Sequence, residues 1–183
     1  MRLWVVLSHN CAMNDLERLV AKDEIRDLAI RYAHALDLRD LDALVELFVP
    51  DVQVGRDGCG REVLRASFDA QLRAIGVSIL YVGNHWIEFE DEDHAAGRVY
   101  CRGEIQEGES WITQAIQYRD RYERRDRHWL FVRRRHLLWY GADAGPSPLA
   151  LPPANWPEHS TGRGTLPDSE ESWRAFWKQG GSA

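Results

Sequence analysis

Cysteine is scarce in this chain of 183 residues. The three present, Cys11, Cys59 and Cys101, are scattered without metal-ligand spacing and leave an odd thiol. No disulfide framework can be read from them, and they suit a reducing cytoplasm. Long apolar runs are missing as well. The opening MRLWVVLSHNCA holds a run of only five apolar residues, too short for the hydrophobic region of a signal peptide or for a membrane span. It also lacks helical periodicity, so residues 1–13 read as an N-terminal extension. Positive charge does not dominate. A net charge of -6 argues against a nucleic-acid surface. The arginine-rich stretches 119–127 and 133–135 fall in strand-like sequence, where successive side chains point to opposite faces. They read as solvated strand edges or intersubunit ion pairs. There is no P-loop, no glycine-rich dinucleotide fingerprint and no GxSxG elbow. The seven histidines lack paired ligand spacing. Neither a metal nor an organic cofactor is expected, and neither is a nucleic-acid or membrane partner.

An apolar content of 44% suits one domain with a substantial core. Asn14 is placed to cap a helix running from Asp15 to Leu38, with a charged break near Lys22 to Glu24. Asp40 then caps a second helix carrying Leu41, Leu44, Val45 and Phe48, ended by Pro50. Val52 to Val54 makes a short strand, and glycines 55, 58 and 60 form a turn. A third helix over 61–75 stops at Gly76. From Val77 the period changes to two. Segments 77–90, 95–106, 111–124 and 128–140 follow, and their short separators mean an antiparallel meander. The last separator reads Asp126-Arg127 where Asp-Gly would suit a tight primed turn, so a longer or mildly strained turn is expected there.

The class is therefore α+β, with three N-terminal helices packed on a curved four-stranded meander plus a short extra strand. These strands are apolar on both faces, and three helices can cover only one. The other is expected to pair with the same face of a second copy, giving a homodimer. Beyond Tyr140 six of the seven prolines break regular structure. Residues 146–183 read as a tail in which Ser169 caps a short helix presenting Trp173, Phe176 and Trp177, acting as a strap or a lid.

The stretch Ile25 to Phe48 carries the chemical interest. At about 100° per residue, Ile25, Leu28, Ala29, Tyr32 and Leu36 share one helix face, Asp37 sits about 100° from its centre, and His34 lies opposite. A carboxylate at the rim of an apolar space is a candidate general base, because desolvation raises its pKa. The alternative is that Asp37 or Asp40 only caps the next helix.

Three stretches then carry a resemblance. IRDLAIRYAHALDLRDLDALVELF, GNHWIEFEDEDHAAGRVYC and YRDRYERRDRHWLFVRRRHLLWY, in this order, resemble the SnoaL-like branch of the nuclear transport factor 2-like superfamily. The likeness covers about residues 14–141 and implies a cone-shaped domain over 14–145. The branch hosts dehydratases, isomerases, dehydrochlorinases, cyclases and plain binding proteins. In its dehydratases and dehydrochlorinases an aspartate at the end of the first helix helps a strand histidine remove a proton. Asp37 matches that aspartate and Tyr32 a pocket tyrosine, but the strand histidine falls on Leu80, a departure from the pattern. If Leu80 points inward, so do Asn84 and Trp86, while His85 points away unless a bulge intervenes. His136 falls where the dehydrochlorinases carry a pocket arginine, on a face with Leu138 and Tyr140.

The resemblance thus implies a cofactor-independent lyase or isomerase acting on a hydrophobic cyclic small molecule. Asp37 with His136 would take a proton, and Tyr32 would donate to an oxygen that becomes negative. Leu80, Asn84, Trp86, Leu138 and Trp111 would line the pocket. The alternative is a non-catalytic small-molecule-binding protein, or an accessory subunit resembling the small subunits of ring-hydroxylating dioxygenases. Leu80 favours it; Asp37 and Tyr32 favour the enzyme.

Overall fold

The computed structural model describes residues 13–179 apart from positions 57 and 160, so the expected N-terminal extension and Cys11 lie outside the described residues. Helix α1 (Asp15–Asp37) opens with a capping box, in which Asn14 accepts from the Glu17 amide and Glu17 accepts from the Asn14 amide. Such a cap is worth about 1 kcal/mol. The helix runs unbroken through Lys22 to Glu24, whose side chains lie away from the core and meet water rather than interrupting the packing. Helix α2 (Leu41–Glu46) is capped by Asp40, whose side chain accepts from the Ala43 amide. It stops short of Phe48 because the backbone is drawn into the sheet. The Phe131 amide donates to Leu47 and the Val49 amide to Phe131. A small hairpin of β1 (Gln53–Val54) and β2 (Gly58–Cys59) leads to α3 (Arg61–Arg73).

The large sheet is an antiparallel meander of β3 (Ser78–Phe89), β4 (His94–Glu107), β5 (Ser110–Arg125) and β6 (His128–Asp143), in that spatial order. The β5–β6 turn is tight rather than long. Asp126 and Arg127 both adopt left-handed backbone, φ 50° and 68°, as a primed turn requires. For Arg127 this costs about 1 kcal/mol. Bulges at Val82/His85, at Ala115/Ile116 and at Arg121/Tyr122 interrupt the ladders and re-aim the side chains beyond them.

The inner face of the sheet packs on α1, α2 and α3 around Ile25, Leu44, Val99, Tyr122 and Phe131, all essentially inaccessible. The tail returns to this body. Helix α4 (Glu171–Gln179) seats Phe176 in the core. Arg73 stacks 4.2 Å over its ring and donates to its carbonyl at 3.0 Å, while Ser172 Oγ donates to the Leu38 carbonyl. Ser169 does not cap this helix; it lies in the preceding 3-10 turn and donates to Leu166. The outer face of the sheet exposes Tyr81, Trp86, Tyr100 and Trp139. Among the described residues no helix is long and apolar enough to cross a membrane.

Candidate active site

The interior of the cone holds two adjoining lobes, of about 270 and 210 Å³. Tyr32, Phe68, Gln71, Tyr118 and His136 line both, so these five residues mark the place where the lobes meet. The smaller lobe continues toward Leu36, Leu72, Ile75, Ser78, Leu80 and Gln114. The larger continues toward Phe48, Gln53, Val54, Leu64, Arg133 and Arg134. A bigger cleft, about 570 Å³, opens at the hairpin end of the sheet. Its walls are largely charged groups such as Glu24, Arg31, Glu46, Arg61 and Arg125, whereas the smaller lobe is mostly apolar with a few polar groups, the better kind of ligand site.

Tyr32 comes from the core-facing side of α1, where the 3.6-residue period turns it toward the sheet. Its ring is packed edge-on by Phe48, Phe68, Tyr118 and Phe131. Burial pushes its hydroxyl pKa up to about 12, so the phenol stays protonated. His136 pairs across the strands with Tyr118, their rings 5.6 Å apart. Burial lowers its pKa, so near neutrality its imidazole is uncharged.

Asp37 occupies the wall of this cavity rather than its lining. Its Oδ1 accepts from Ser78 Oγ at 3.0 Å and its Oδ2 from the Leu80 amide at 2.8 Å. It faces a separate open groove of about 320 Å³ with Ile30, Ala33, His34 and Tyr81, and Leu80 lines both groove and lobe. Leu80 is thus the partition between them. Burial pushes the Asp37 carboxyl up to about 6, against the hydrogen bonds from Leu80 and Ser78 and the nearby Arg39 charge. Arg39 is buried with left-handed backbone, and it donates to the Leu36 carbonyl, to Ser78 Oγ and to the Gly76 carbonyl. Ser78 Oγ therefore accepts a hydrogen bond from Arg39 and donates one to Asp37, and Ser78 borders the lobe. No hydrogen bond joins Asp37 to His136 among the described residues.

The inward-facing arginine of β6 is Arg134, two residues before His136. It grips Asp120 with two hydrogen bonds of 3.1 and 2.9 Å, and the two side chains are 4% and 0% exposed. Burial works against its charge, but Asp120 overrides that and holds the guanidinium above its usual range. The same guanidinium lies 4.3 Å from the Tyr32 ring, 4.2 Å from Tyr118 and 4.5 Å from Phe131. Asp120 also accepts from the Tyr122 hydroxyl, which meets His85 Nε2 at 3.0 Å. Burial first, then the charges of Arg134 and Arg26, lower the His85 pKa to about 4. At least one of the arginines expected at the surface is therefore the centre of a buried network. Alternation on β5 puts Tyr118, Asp120 and Tyr122 on one face, but it does not tell which arginine of β6 meets them.

Several expected lining residues lie elsewhere. The bulge between Val82 and His85 reverses the alternation, so His85 turns inward while Asn84 and Trp86 turn out; Trp86 is 57% exposed, beneath Arg98. Leu138 sits across from Ile116 and is exposed, and the bulge that follows places Tyr140 opposite Ala115. Trp111 is buried but donates to Glu104 and does not border the lobes. Of the expected substrate-binding set only Leu80 reaches the cavity. No residue of α4 borders either lobe. Among the described residues no three His, Cys, Asp or Glu side chains converge as a metal site.

Comparison with known proteins agrees with this architecture. A gamma-hexachlorocyclohexane dehydrochlorinase of Sphingobium indicum is 30% identical over 129 residues, spanning 67% of this chain and 83% of that protein. The crystal structure of a type 3 hexachlorocyclohexane dehydrochlorinase from Novosphingobium barchaimii superposes with a TM-score of 0.61 and 29% identity, covering 72% of this chain and 96% of that one. A further structure, from Novosphingobium aromaticivorans, has a TM-score of 0.64 over 71% of this chain and 91% of its own, at 22% identity, a likeness of fold alone. The SnoaL-like domain profile matches residues 17–135, well over half of the sequence. With helices, meander and interior hollow in the places described, the chain belongs to the SnoaL-like domain family.

Proposed function

We propose that this protein is a cofactor-independent lyase or isomerase acting on a hydrophobic cyclic small molecule, with Asp37 as the general base. The observation that carries the reading is the Ser78 hydroxyl, which borders the lobe on one side and donates to Asp37 on the other. A proton leaving a substrate carbon passes to Ser78 Oγ as the Ser78 proton passes to Asp37. The C–H bonding pair then either expels a neighbouring leaving group or moves through the ring system to be reprotonated elsewhere. A carboxyl at about pKa 6 is ionised at neutral pH yet basic enough to take part. Tyr32 donates to an oxygen gaining charge, and neutral His136 hydrogen-bonds the ligand. The dehydrochlorinase names of its relatives support elimination chemistry in such a hollow.

Asp37→Asn is expected to reduce turnover at least a hundredfold with the circular dichroism spectrum and Tm preserved, and Ser78→Ala to reduce it substantially. The screen would take halogenated cyclohexanes and cyclic hydroxyketones as substrates, after native mass spectrometry of the purified protein for retained ligands. Full activity in Asp37→Asn would dismiss this mechanism.

A second reading is a non-catalytic binding protein or accessory subunit. It is favoured by one observation, that Leu80 separates Asp37 from the lobe while both carboxylate oxygens are engaged by the chain itself. For the assembled state we propose a homodimer through the outer sheet face, where Tyr81, Trp86, Tyr100 and Trp139 stand exposed.

A further inference from the structure

Two residues past the end of helix α1, Arg39 combines three unfavourable features. It is 2% exposed, and its backbone is left-handed at φ 58°, a conformation that residues other than glycine rarely adopt. Its guanidinium has no direct carboxylate partner among the described residues. Nη1 donates to the Leu36 carbonyl at 2.7 Å and to Ser78 Oγ at 2.8 Å, Nη2 donates to the Gly76 carbonyl, and Nε is buried without an acceptor. Buried cations are normally paired with an acid. Here the acid is Asp37, reached only through the Ser78 hydroxyl. Strain and an indirect charge pair held beside a candidate base point to a role in function.

We propose that Arg39 is a positioning residue, which forces the Ser78 hydroxyl proton onto Asp37 and supplies the fixed positive charge that keeps that carboxyl ionised. This rests on the reading of Asp37 as a general base reached through Ser78. A serine hydroxyl has one proton and two lone pairs, and a guanidinium can only donate. With Arg39 on one lone pair the proton cannot turn toward it, and Asp37 Oδ1 takes it at 3.0 Å. One lone pair is left for a group in the lobe that Ser78 borders. The Leu80 amide, 2.8 Å from Oδ2, holds the carboxylate in line. The other titratable groups around Asp37 are His34 and Tyr32 on α1, Cys101 on the sheet, and Tyr81, which shares the groove. Helix α4 brings only the uncharged Ser172 to the neighbouring Leu38 carbonyl. Arg39 is the fixed cation of the set. Burial lowers its pKa and the Asp37 charge raises it, and at about 10 it stays charged at neutral pH. Without it the Asp37 carboxyl would rise further above about 6, and less of the base would be ionised.

The test is NMR of the full chain, following the Asp37 carboxyl carbon and the Arg39 guanidinium nitrogens through a pH titration. In the wild-type protein both signals are expected to move with one midpoint at about 6, because they share Ser78. A guanidinium signal that stays flat while Asp37 titrates overturns the proposal, and this arm needs no variant to fold. Arg39→Gln removes the charge and offers Ser78 an acceptor, so it should raise the Asp37 midpoint by at least about half a pH unit. Arg39→Lys keeps a cation that can donate to Ser78 but lacks the planar fork that ties the Leu36 and Gly76 carbonyls together, and it should restore the midpoint. At pH 8, on a substrate from the screen above, Arg39→Gln should lose roughly tenfold in kcat with KM within about twofold, since Arg39 borders neither lobe, and Arg39→Lys should recover most of it. An unchanged midpoint in Arg39→Gln, or equal losses in the two variants, reduces Arg39 to a structural peg and overturns the proposal. Full turnover in Asp37→Asn would instead dismiss the general base while the shared titration persisted, so the two failures read out separately.

Discussion

At the scale of single residues, two groups titrate in opposite senses. The Asp37 carboxyl is raised to about 6 by burial, so between about pH 4 and 6 the folded chain holds a proton that the unfolded chain releases. Its contribution is present below pH 4 and lost as the pH rises through 6. His85 is lowered to about 4, so the unfolded chain takes up a proton near pH 6.5 that the folded chain refuses. Its contribution is present above pH 6.5 and lost as the pH falls toward 4, and His136 adds to the same side. The Asp37 and His85 contributions are each on the order of 2–3 kcal/mol. Urea titrations between pH 4 and 6 should therefore find the wild-type stability nearly level. Asp37→Asn should lose stability on acidification by about that amount, and His85→Asn should gain it. Parallel curves for the three proteins would contradict these assignments. In the active protein, the rate is expected to rise with pH through an apparent pKa near 6 set by Asp37, a limb absent from Asp37→Asn.

At the scale of elements, close approach on the inner sheet face demands glycine at one point. A Cβ on Gly97 would lie 2.8 Å from the Tyr122 ring and hydroxyl and 3.1 Å from His85 Nε2. Gly97→Ala should push Tyr122 from its place between His85 and Asp120 and lower stability by about 1–3 kcal/mol in thermal unfolding. An unchanged Tm would show that the network has slack. The same sheet shows what sequence can and cannot disclose. Helix ends were legible because caps are local, as with Asn14–Glu17 and Asp40–Ala43. The meander was legible because alternation and short separators are local too. The orientation of Trp86 and His85 was not, since one bulged residue reverses every side chain after it and Gly83 gives no unambiguous sign of it. Nor was the Arg134–Asp120 pair, whose partners lie on two strands and meet through register. In sequence Arg134 is one of three consecutive arginines, and only coordinates pick out the buried one. For the site itself, Tyr32, Leu80 and His136 were readable at the cavity. Tyr118 and Ser78 were not, because their immediate neighbours do not mark them as cavity-facing.

At the scale of the whole molecule, the outer sheet face is the outstanding surface. Trp86 and Trp139 are 57% and 55% exposed, Tyr100 packs on Trp139 at 5.0 Å, and Arg98 covers Trp86 at 5.3 Å. Aromatic and arginine side chains are the types enriched in protein interfaces. Sedimentation at micromolar concentration should give a dimer, and Trp139→Glu should shift it to monomer with the fold intact. A wild-type monomer under these conditions would remove the proposal.

Helix α4 bears on how such a molecule is made. The Arg73 to Phe176 contact joins residues 103 positions apart, so closing it carries the entropy of a long loop and comes late in any assembly order. A chain that has not yet made it is expected to leave the core site of Phe176 uncovered. A nascent polypeptide in that state is a natural client for chaperones, and the stretch between β6 and α4 is where a protease would first gain purchase.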